Sequence, residues 1–434
     1  MQMAQPAWKT RRATLVLGWA LIVWGMLGWV TPSLADNCGC GSGCVDMASC
    51  PAPYPVLETM GGHSLFWHDP CGGGYFDRDR NCVFHNSTPP LWYASAEFLP
   101  LRRDQSGSQP FQAIAIENVE VIRDSDGAVV DEIFTYDREA VLGTNDFNDN
   151  FEPGFRVTLG RALGDWYRIE GSYFGTHQWS DQAQVLYTPP IGGGVPGNML
   201  SPLSNFGNPG GQPGLFTLTE DEWDPQPGLD FNTNANIRFR SRLDNAELNL
   251  RRRVRTALDP QVRAETSCLI GLRYMQIGEQ FQYNDSNSSN SNSNNSNSDV
   301  TVKTGNNMFG IQIGALSQFL VVDRGWVDFE IKGVMFFNDA SNRIQSTVPG
   351  VPSPLPAQGD RTTFMGDLSL MFNYQVAPAW TVQLGYNAMW LSGVALASEN
   401  FMVDVNSLVS GPGALDASGR VVYHGPTIGM VLAH

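Results

Sequence analysis

Residues Tyr167, Ile169, Gly171, Tyr173, Gly175, His177 and Trp179 alternate with Arg168, Glu170, Ser172, Phe174, Thr176 and Gln178. A period of two puts the first set, largely apolar and aromatic, on one face of a strand and the second, largely polar, on the other. The same reading holds downstream. Phe309, Ile311, Ile313, Ala315 and Phe319 oppose Gln312 and Gln318, and Val327, Phe329, Ile331, Met335 and Phe337 oppose Asp328, Glu330 and Lys332. Phe364, Leu368, Leu370, Phe372 and Tyr374 oppose Asp367, Ser369 and Asn373, while Trp380, Val382, Leu384, Tyr386 and Trp390 oppose Thr381, Gln383 and Asn387.

Alternation alone does not separate a soluble sandwich from a membrane barrel, but strand length does. Sandwich strands run about 5 or 6 residues and membrane barrel strands need about 9 to 11. These segments are of the longer kind, and Trp166, Trp179, Trp326, Trp380 and Trp390 stand at their ends, as interfacial girdles require. The connections alternate in the manner of outer-membrane barrels. Long stretches at 180–233, 284–299, 338–361 and 393–419 are separated by short turns near Gly164-Asp165, Asp259-Pro260, Asp323-Gly325 and Ala377-Pro378. The expected fold is all-β, a transmembrane antiparallel up-and-down barrel. Twelve strands are expected, near 91–101, 111–122, 128–136, 151–163, 165–179, 234–255, 264–283, 300–322, 325–337, 362–376, 379–392 and 420–434. The pair from Phe111 to Tyr136 lacks a clean lipid face, so ten wall strands with an outer hairpin is the alternative.

Composition agrees. The chain has 434 residues, 42% hydrophobic and only 16% charged, with a net charge of −16. That excludes a small disulfide scaffold and a free polybasic nucleic-acid binder. Lys9, Arg11 and Arg12 precede the apolar stretch Ala13 to Val30 and the small-residue site Ser33-Leu34-Ala35, so residues 1–35 read as a secretory signal peptide, with a retained anchor as the alternative. Residues 36–90 form a Cys/Gly/Pro-rich periplasmic segment with Cys38, Cys40, Cys44, Cys50, Cys71 and Cys82. An even number in an oxidising compartment reads first as disulfides, with unpaired thiols or a zinc site including His63 and His68 as alternatives. Residues 91–434 are the barrel, and the Ser/Asn tract from Asn284 to Asp299 is a low-complexity outer loop, too polar to bury.

Several stretches resemble a family of bacterial outer-membrane β-barrel porins, the seventh such group. They are Trp92-Tyr93-Ala94-Ser95-Ala96-Glu97-Phe98-Leu99, Ala140-Val141-Leu142-Gly143 with Pro153-Gly154-Phe155-Arg156-Val157-Thr158-Leu159-Gly160, and Leu269-Ile270-Gly271-Leu272-Arg273-Tyr274 followed by Gly278-Glu279-Gln280-Phe281. Gly310-Ile311-Gln312-Ile313-Gly314, Leu384-Gly385-Tyr386, Trp390-Leu391-Ser392-Gly393-Val394-Ala395-Leu396-Ala397 and His424-Gly425-Pro426 complete the ordered match over about 91–434. The resemblance implies an outer-membrane barrel and a pore. The Cys-rich segment lies outside it, and His434 replaces the terminal Phe or Trp usual in barrel assembly signals.

The densest charge lies between Asn234 and Arg255. Arg238, Arg240 and Arg242 alternate with Ile237, Phe239 and Leu243, and Glu247, Asn249, Arg251 and Arg253 alternate with Ala246, Leu248 and Leu250. With the apolar face on lipid, a lumen lining of Arg238, Arg240, Arg242, Glu247 and Arg251 is expected, joined by Arg168, Glu170, Arg273, Asp328, Glu330 and Lys332. The alternative is that these charges pair across the wall and brace a filled barrel. His177 with Asp181 and His424 lack convincing catalytic company, and no nucleophile elbow, Walker loop or HExxH occurs, so no enzyme, cofactor or metal is expected. The expected function is a porin passing small hydrophilic solutes or ions, with a plugged structural or adhesive barrel as the alternative. The expected partners are outer-membrane lipid, permeating solutes or ions, the barrel-assembly machinery and a second copy of the chain, with no nucleic acid.

Overall fold

A computed structural model describes residues 92–434 apart from 106–107, 127, 149, 164–165, 187–198, 227–228, 255–263, 287–296, 323, 411–413 and 434. The signal, the six head cysteines, Arg255, much of the Ser/Asn tract and the terminal His434 lie outside the described residues. The strands are β1 (Trp92–Phe98), β2 (Arg102–Gln105), β3 (Pro110–Arg123), β4 (Val129–Gly143), β5 (Phe155–Leu163), β6 (Tyr167–Leu186), β7 (Met199–Leu200), β8 (Leu218–Thr219) and β9 (Asn234–Val254). They continue as β10 (Ala264–Ser286), β11 (Asn297–Val322), β12 (Gly325–Ser346), β13 (Leu355–Ala377), β14 (Trp380–Val394) and β15 (Gly419–Ala433), with one short helix α1 (Val405–Ser410).

Ten strands close a ring in the order β1-β5-β6-β9-β10-β11-β12-β13-β14-β15, and β15 pairs back onto β1 with Ala433 opposite Tyr93 and Ile428 opposite Phe98. Every neighbouring pair is antiparallel. Closure leaves no open edge strand in the ring across the apolar belt, which is what lets a sheet stand in hydrocarbon. The expected count of twelve is corrected to ten. The two extra segments are β3 and β4, a hairpin that joins β7 and β8 in a separate four-stranded sheet. Its distal half is exposed on both faces and carries Glu117, Glu120, Asp131 and Glu132, so it has no apolar face to give to lipid.

On the wall, outward positions are apolar and exposed over a continuous belt: Leu248 and Leu250, Ile270 and Leu272, Phe309 and Ile311, Met335 and Phe337, Leu370 and Phe372, Leu384 and Tyr386, Ile428 and Met430. On β13 the belt runs from Phe364 to Val376, about 30 Å at about 3.3 Å per residue and about 40° of tilt. That height matches a hydrocarbon core. The short turns share one end, the inner end, and the long connections share the other, the outer end. Tyr173, Ala246, Tyr274, Phe309 and Phe337 form one cross-strand row that closes the belt at its outer edge.

Strands β10 to β13 rise well past this belt. Asn338 to Ser346 and Leu355 to Arg361, expected in a long loop, are paired strand, which leaves a connection of only 347–354. Two tryptophans expected in the girdles point inward. A bulge between Phe174 and His177 moves Trp179 and His177 to the interior, where Trp179 Nε1 donates to the Leu101 carbonyl at 3.1 Å and His177 Nε2 lies 2.7 Å from the Leu99 carbonyl. Trp326 is buried on the inner face of β12. Where the Tyr93 ring lies flat over Gly160 inside the barrel, any Cβ would collide with it, so glycine there is a packing requirement.

Candidate functional site

The lumen is built in layers. At the inner end and middle, the inward positions of the wall include a set of five cations, Arg156, Arg168, Arg251, Arg273 and Lys332, and five anions, Glu97, Glu170, Glu247, Glu330 and Asp367, with the pair Arg253–Glu265 at 2.9 Å beside it. Arg251 binds both Glu170 oxygens at 3.1 Å and reaches Glu330 at 2.7 Å. Lys332 lies 3.1 Å from Glu330 and 3.3 Å from Glu247. Arg273, fully buried, donates to Asp367 at 2.9 Å and Asn245 at 2.6 Å and lies 3.4 Å from Glu247. Arg156 bonds Glu97 at 3.2 Å and Asn387 at 3.3 Å.

These contacts cross the lumen. Arg251 on β9 meets Glu330 on β12, and Arg273 on β10 meets Asp367 on β13, in each case skipping two strands of the ring. Asp328 is also inward and takes a hydrogen bond from Gln318 at 2.8 Å. Charges this buried persist only when paired or well hydrogen-bonded; each of the ten has an ion-pair partner, whereas Asp328 is held by hydrogen bonding.

Above the ions lies an apolar layer of Phe174, Met275, Ile277, Met308, Phe336, Met365, Met389 and Leu391, with Leu99 and Leu101 between β1 and β2. Pro100 lacks an N–H, and its carbonyl presses on Gly425 where a Cβ would have no room. A second apolar layer at the outer end mixes wall residues Ile237, Phe239, Phe281, Tyr283 and Val302 with Phe111, Leu142, Leu203, Phe401 and Leu408 from the long connections. Phe401 meets Phe111, Phe281 and Tyr283 edge-on, with centroids 5.1, 5.8 and 5.7 Å apart. Arg103 crosses to Glu279 at 2.6 Å, and Glu279 also accepts the Ala397 N–H at 2.9 Å. Asn306 exchanges two 2.8 Å hydrogen bonds with the Ala395 backbone. Ala395 and Ala397 are thereby tied to the inside of the barrel mouth, with Phe401 and Leu408 packed in the outer apolar layer.

Two carboxyls in the outer connections are shifted upward. Burial raises Asp230 to about 6 although Ser204, Gln226 and Ser201 all donate to it, and burial with the nearby anions Asp416 and Glu279 raises Glu399 to about 7. Both lie above the usual carboxylate value of about 4, so the folded state takes up protons. Their contribution to stability is full below about pH 4 and is lost as pH rises through 6 to 7. Thermal unfolding in detergent, followed by circular dichroism, should accordingly show a higher midpoint at pH 5 than at pH 8. An unchanged or reversed order would show that neither carboxyl controls the mouth.

The strand β9 corrects part of the expected lining. Odd positions from Ile237 to Arg251 face inward and even positions outward, without interruption. Glu247 and Arg251 are therefore in the lumen, together with Arg168, Glu170, Arg273, Asp328, Glu330 and Lys332, whereas Arg238, Arg240 and Arg242 are on the outer wall. The reason is that β9 outruns the lipid belt. Beyond Ala246 its inner face meets the apolar filling and its outer face meets water, so the polar side changes over. Glu97, Arg156 and Asp367 are members of the ion lattice that charge density alone did not single out. Glu97 was discernible as the one acidic residue in the alternation of β1.

Of the histidines weighed for catalysis, His177 is buried at the level of the first apolar layer, and His424 faces outward, 2.8 Å from Asp104 and 2.5 Å from the Tyr386 hydroxyl. A notch of about 360 Å³ opens at the outer rim between β2 and β6, where β5 stops short; it is lined by Arg102, Asp104, Asn145, Phe147, Trp179 and Asp181 among others.

No family model matches the chain, and no curated protein matches it. Among solved structures it is similar to the outer membrane protease OmpT from Escherichia coli, at 11% identity and a TM-score of 0.38, over 81% of this chain and 99% of that one. It is also similar to a Pseudomonas aeruginosa FadL homologue, at 9% identity and a TM-score of 0.25, over 79% and 89% of the two chains. The translocator domain of the autotransporter NalP from Neisseria meningitidis matches at 8% identity and a TM-score of 0.26, over 81% and 90%. Likenesses this distant carry no argument about activity.

Proposed function

We propose that the protein is a bacterial outer-membrane barrel with a filled lumen, serving an envelope-structural or adhesive role through its outer loops and sheet, and not an open diffusion pore. The observation that carries this reading is the cross-lumen lattice of five cations and five anions, capped by two apolar layers. Opening a water path would separate several buried ion pairs at once and expose side chains such as Met275, Met389 and Phe174, each 0% exposed. Breaking even one buried pair costs about 3 to 5 kcal/mol, so a conducting state would be rarely populated. The reading includes export through residues 1–35, insertion by the barrel-assembly machinery and no catalysed reaction.

Planar-bilayer recording tests it. The purified full-length protein, shown to be folded by anomalous gel migration until boiled, should give no stepwise conductance. Reproducible unitary steps would overturn the filled barrel and favour passive diffusion of small solutes or ions.

A further inference from the structure

The outer wall above the lipid belt carries a cationic face that the lumen does not use. Arg238, Arg240 and Arg242 on β9, Lys303 on β11 and Arg343 on β12 all point outward and are exposed. Register places Arg240, Gln280, Lys303 and Arg343 in one cross-strand row, with Gln280 opposite Arg240, Lys303 opposite Gln280 and Arg343 opposite Lys303. Strands lie about 4.8 Å apart, so the row from Arg240 to Arg343 is only about 14 Å long. Beside it a shallow hollow of about 620 Å³ is lined by Lys303, Gly305, Ser341, Arg343, Pro356 and Gln358.

Nearer the belt the same wall carries Asp244, Asp339 and Asp360, and Asp299 lies beyond the row on β11. Asp244 is engaged by Arg242 Nε and the Tyr173 hydroxyl, each at 2.7 Å, Asp339 by Gln358 at 2.9 Å and Asp299 by Asn284 at 2.6 Å. Among the described residues, Arg238, Arg240, Lys303 and Arg343 form no ion pair. Unpaired cations gathered on the outward face of a chain with net charge −16 are complementary to an anion that stands beside the barrel wall.

We infer that this face, centred on Arg240, Lys303 and Arg343, binds the phosphorylated saccharide headgroup of an outer-leaflet glycolipid. Asp244, Asp339 and Asp360 sit closer to the belt than the row of cations, so the phosphate held is one displaced from the acyl chains, on the sugar portion. The inference goes beyond the filled-lumen reading and rests only on the barrel spanning an outer membrane.

Native mass spectrometry of the full chain in detergent, titrated with lipopolysaccharide bearing a phosphorylated core, tests it. The triple variant R240S/K303S/R343S should bind about a hundredfold more weakly, about fivefold for each cation removed. The charge-preserving variant R240K/K303R/R343K should bind like the parent, and so should R161S, which removes an outward arginine elsewhere. Lipopolysaccharide stripped of its phosphates should bind the parent as weakly as intact lipopolysaccharide binds the triple variant. Retained heat-modifiable migration shows that each variant still folds as a membrane barrel. Equal binding of intact and stripped lipid, undiminished binding by the triple variant, or full displacement by millimolar inorganic phosphate would overturn the assignment.

Discussion

Replacing Arg273 by Ala is expected to lower the unfolding free energy of the barrel by about 3 to 5 kcal/mol, the usual cost of removing one partner from a buried ion pair. Arg273 is fully buried, and its guanidinium serves Asp367, Asn245 and Glu247 while lying 5.7 Å from the Phe174 ring centroid. Its loss leaves Asp367 without its arginine and Glu247 dependent on Lys332 at 3.3 Å. Urea titration in detergent, read by the fraction migrating as the folded band, measures the effect. A double variant, Arg273→Met with Asp367→Asn, should recover at least half of the loss because it removes the stranded anion along with its partner. A single-variant cost below about 1 kcal/mol, the range of exposed pairs, would mean that water reaches the lattice.

Phe401→Ala acts on the other filling. Its ring is 6% exposed and is wedged among Phe111, Phe281 and Tyr283, so truncation should cost about 3 to 5 kcal/mol. The loss should be local, because the wall strands keep their ladders. Hydrogen exchange should accelerate across residues 395–418 with little change on β10 to β13. Uniform acceleration over the whole barrel would show instead that the mouth and the wall unfold as one unit.

The architecture was largely legible. A two-residue period over segments too long for a sandwich, with long and short connections alternating, leads directly to a closed wall, because a sheet with an apolar face on lipid must pair its own edges. Errors came where a strand leaves the membrane. On β9 the arginines occupy even positions through Arg242, while Glu247, Arg251 and Arg253 occupy odd ones. A regular strand cannot turn both sets inward, and that change of parity already marked the edge of the lipid belt. The bulge after Phe174 had no such marker, since Gly175 and Thr176 fit an unbroken strand as well as a broken one. Seven of the ten lattice residues were legible, but not the pairs they form, since Arg251 with Glu330 and Arg273 with Asp367 are separated by 79 and 94 positions.

Nine of the ten wall contacts join segments that follow one another along the chain, whereas the tenth, β1 with β15, brings Phe98 against Ile428, 330 positions apart. Closing so long a chain carries an entropic cost of about 5 kcal/mol, with almost nothing gained until the first pairs form. The order of events follows. The sequential pairings are expected to form before the six-residue seam from Tyr93 to Phe98 closes, because closing the seam first would incur the full loop entropy. Until it seals, both terminal strands present bare hydrogen-bonding edges to any other unfinished chain nearby. The chance of edge-to-edge association is therefore expected to depend on how quickly the first and last strands of the wall meet.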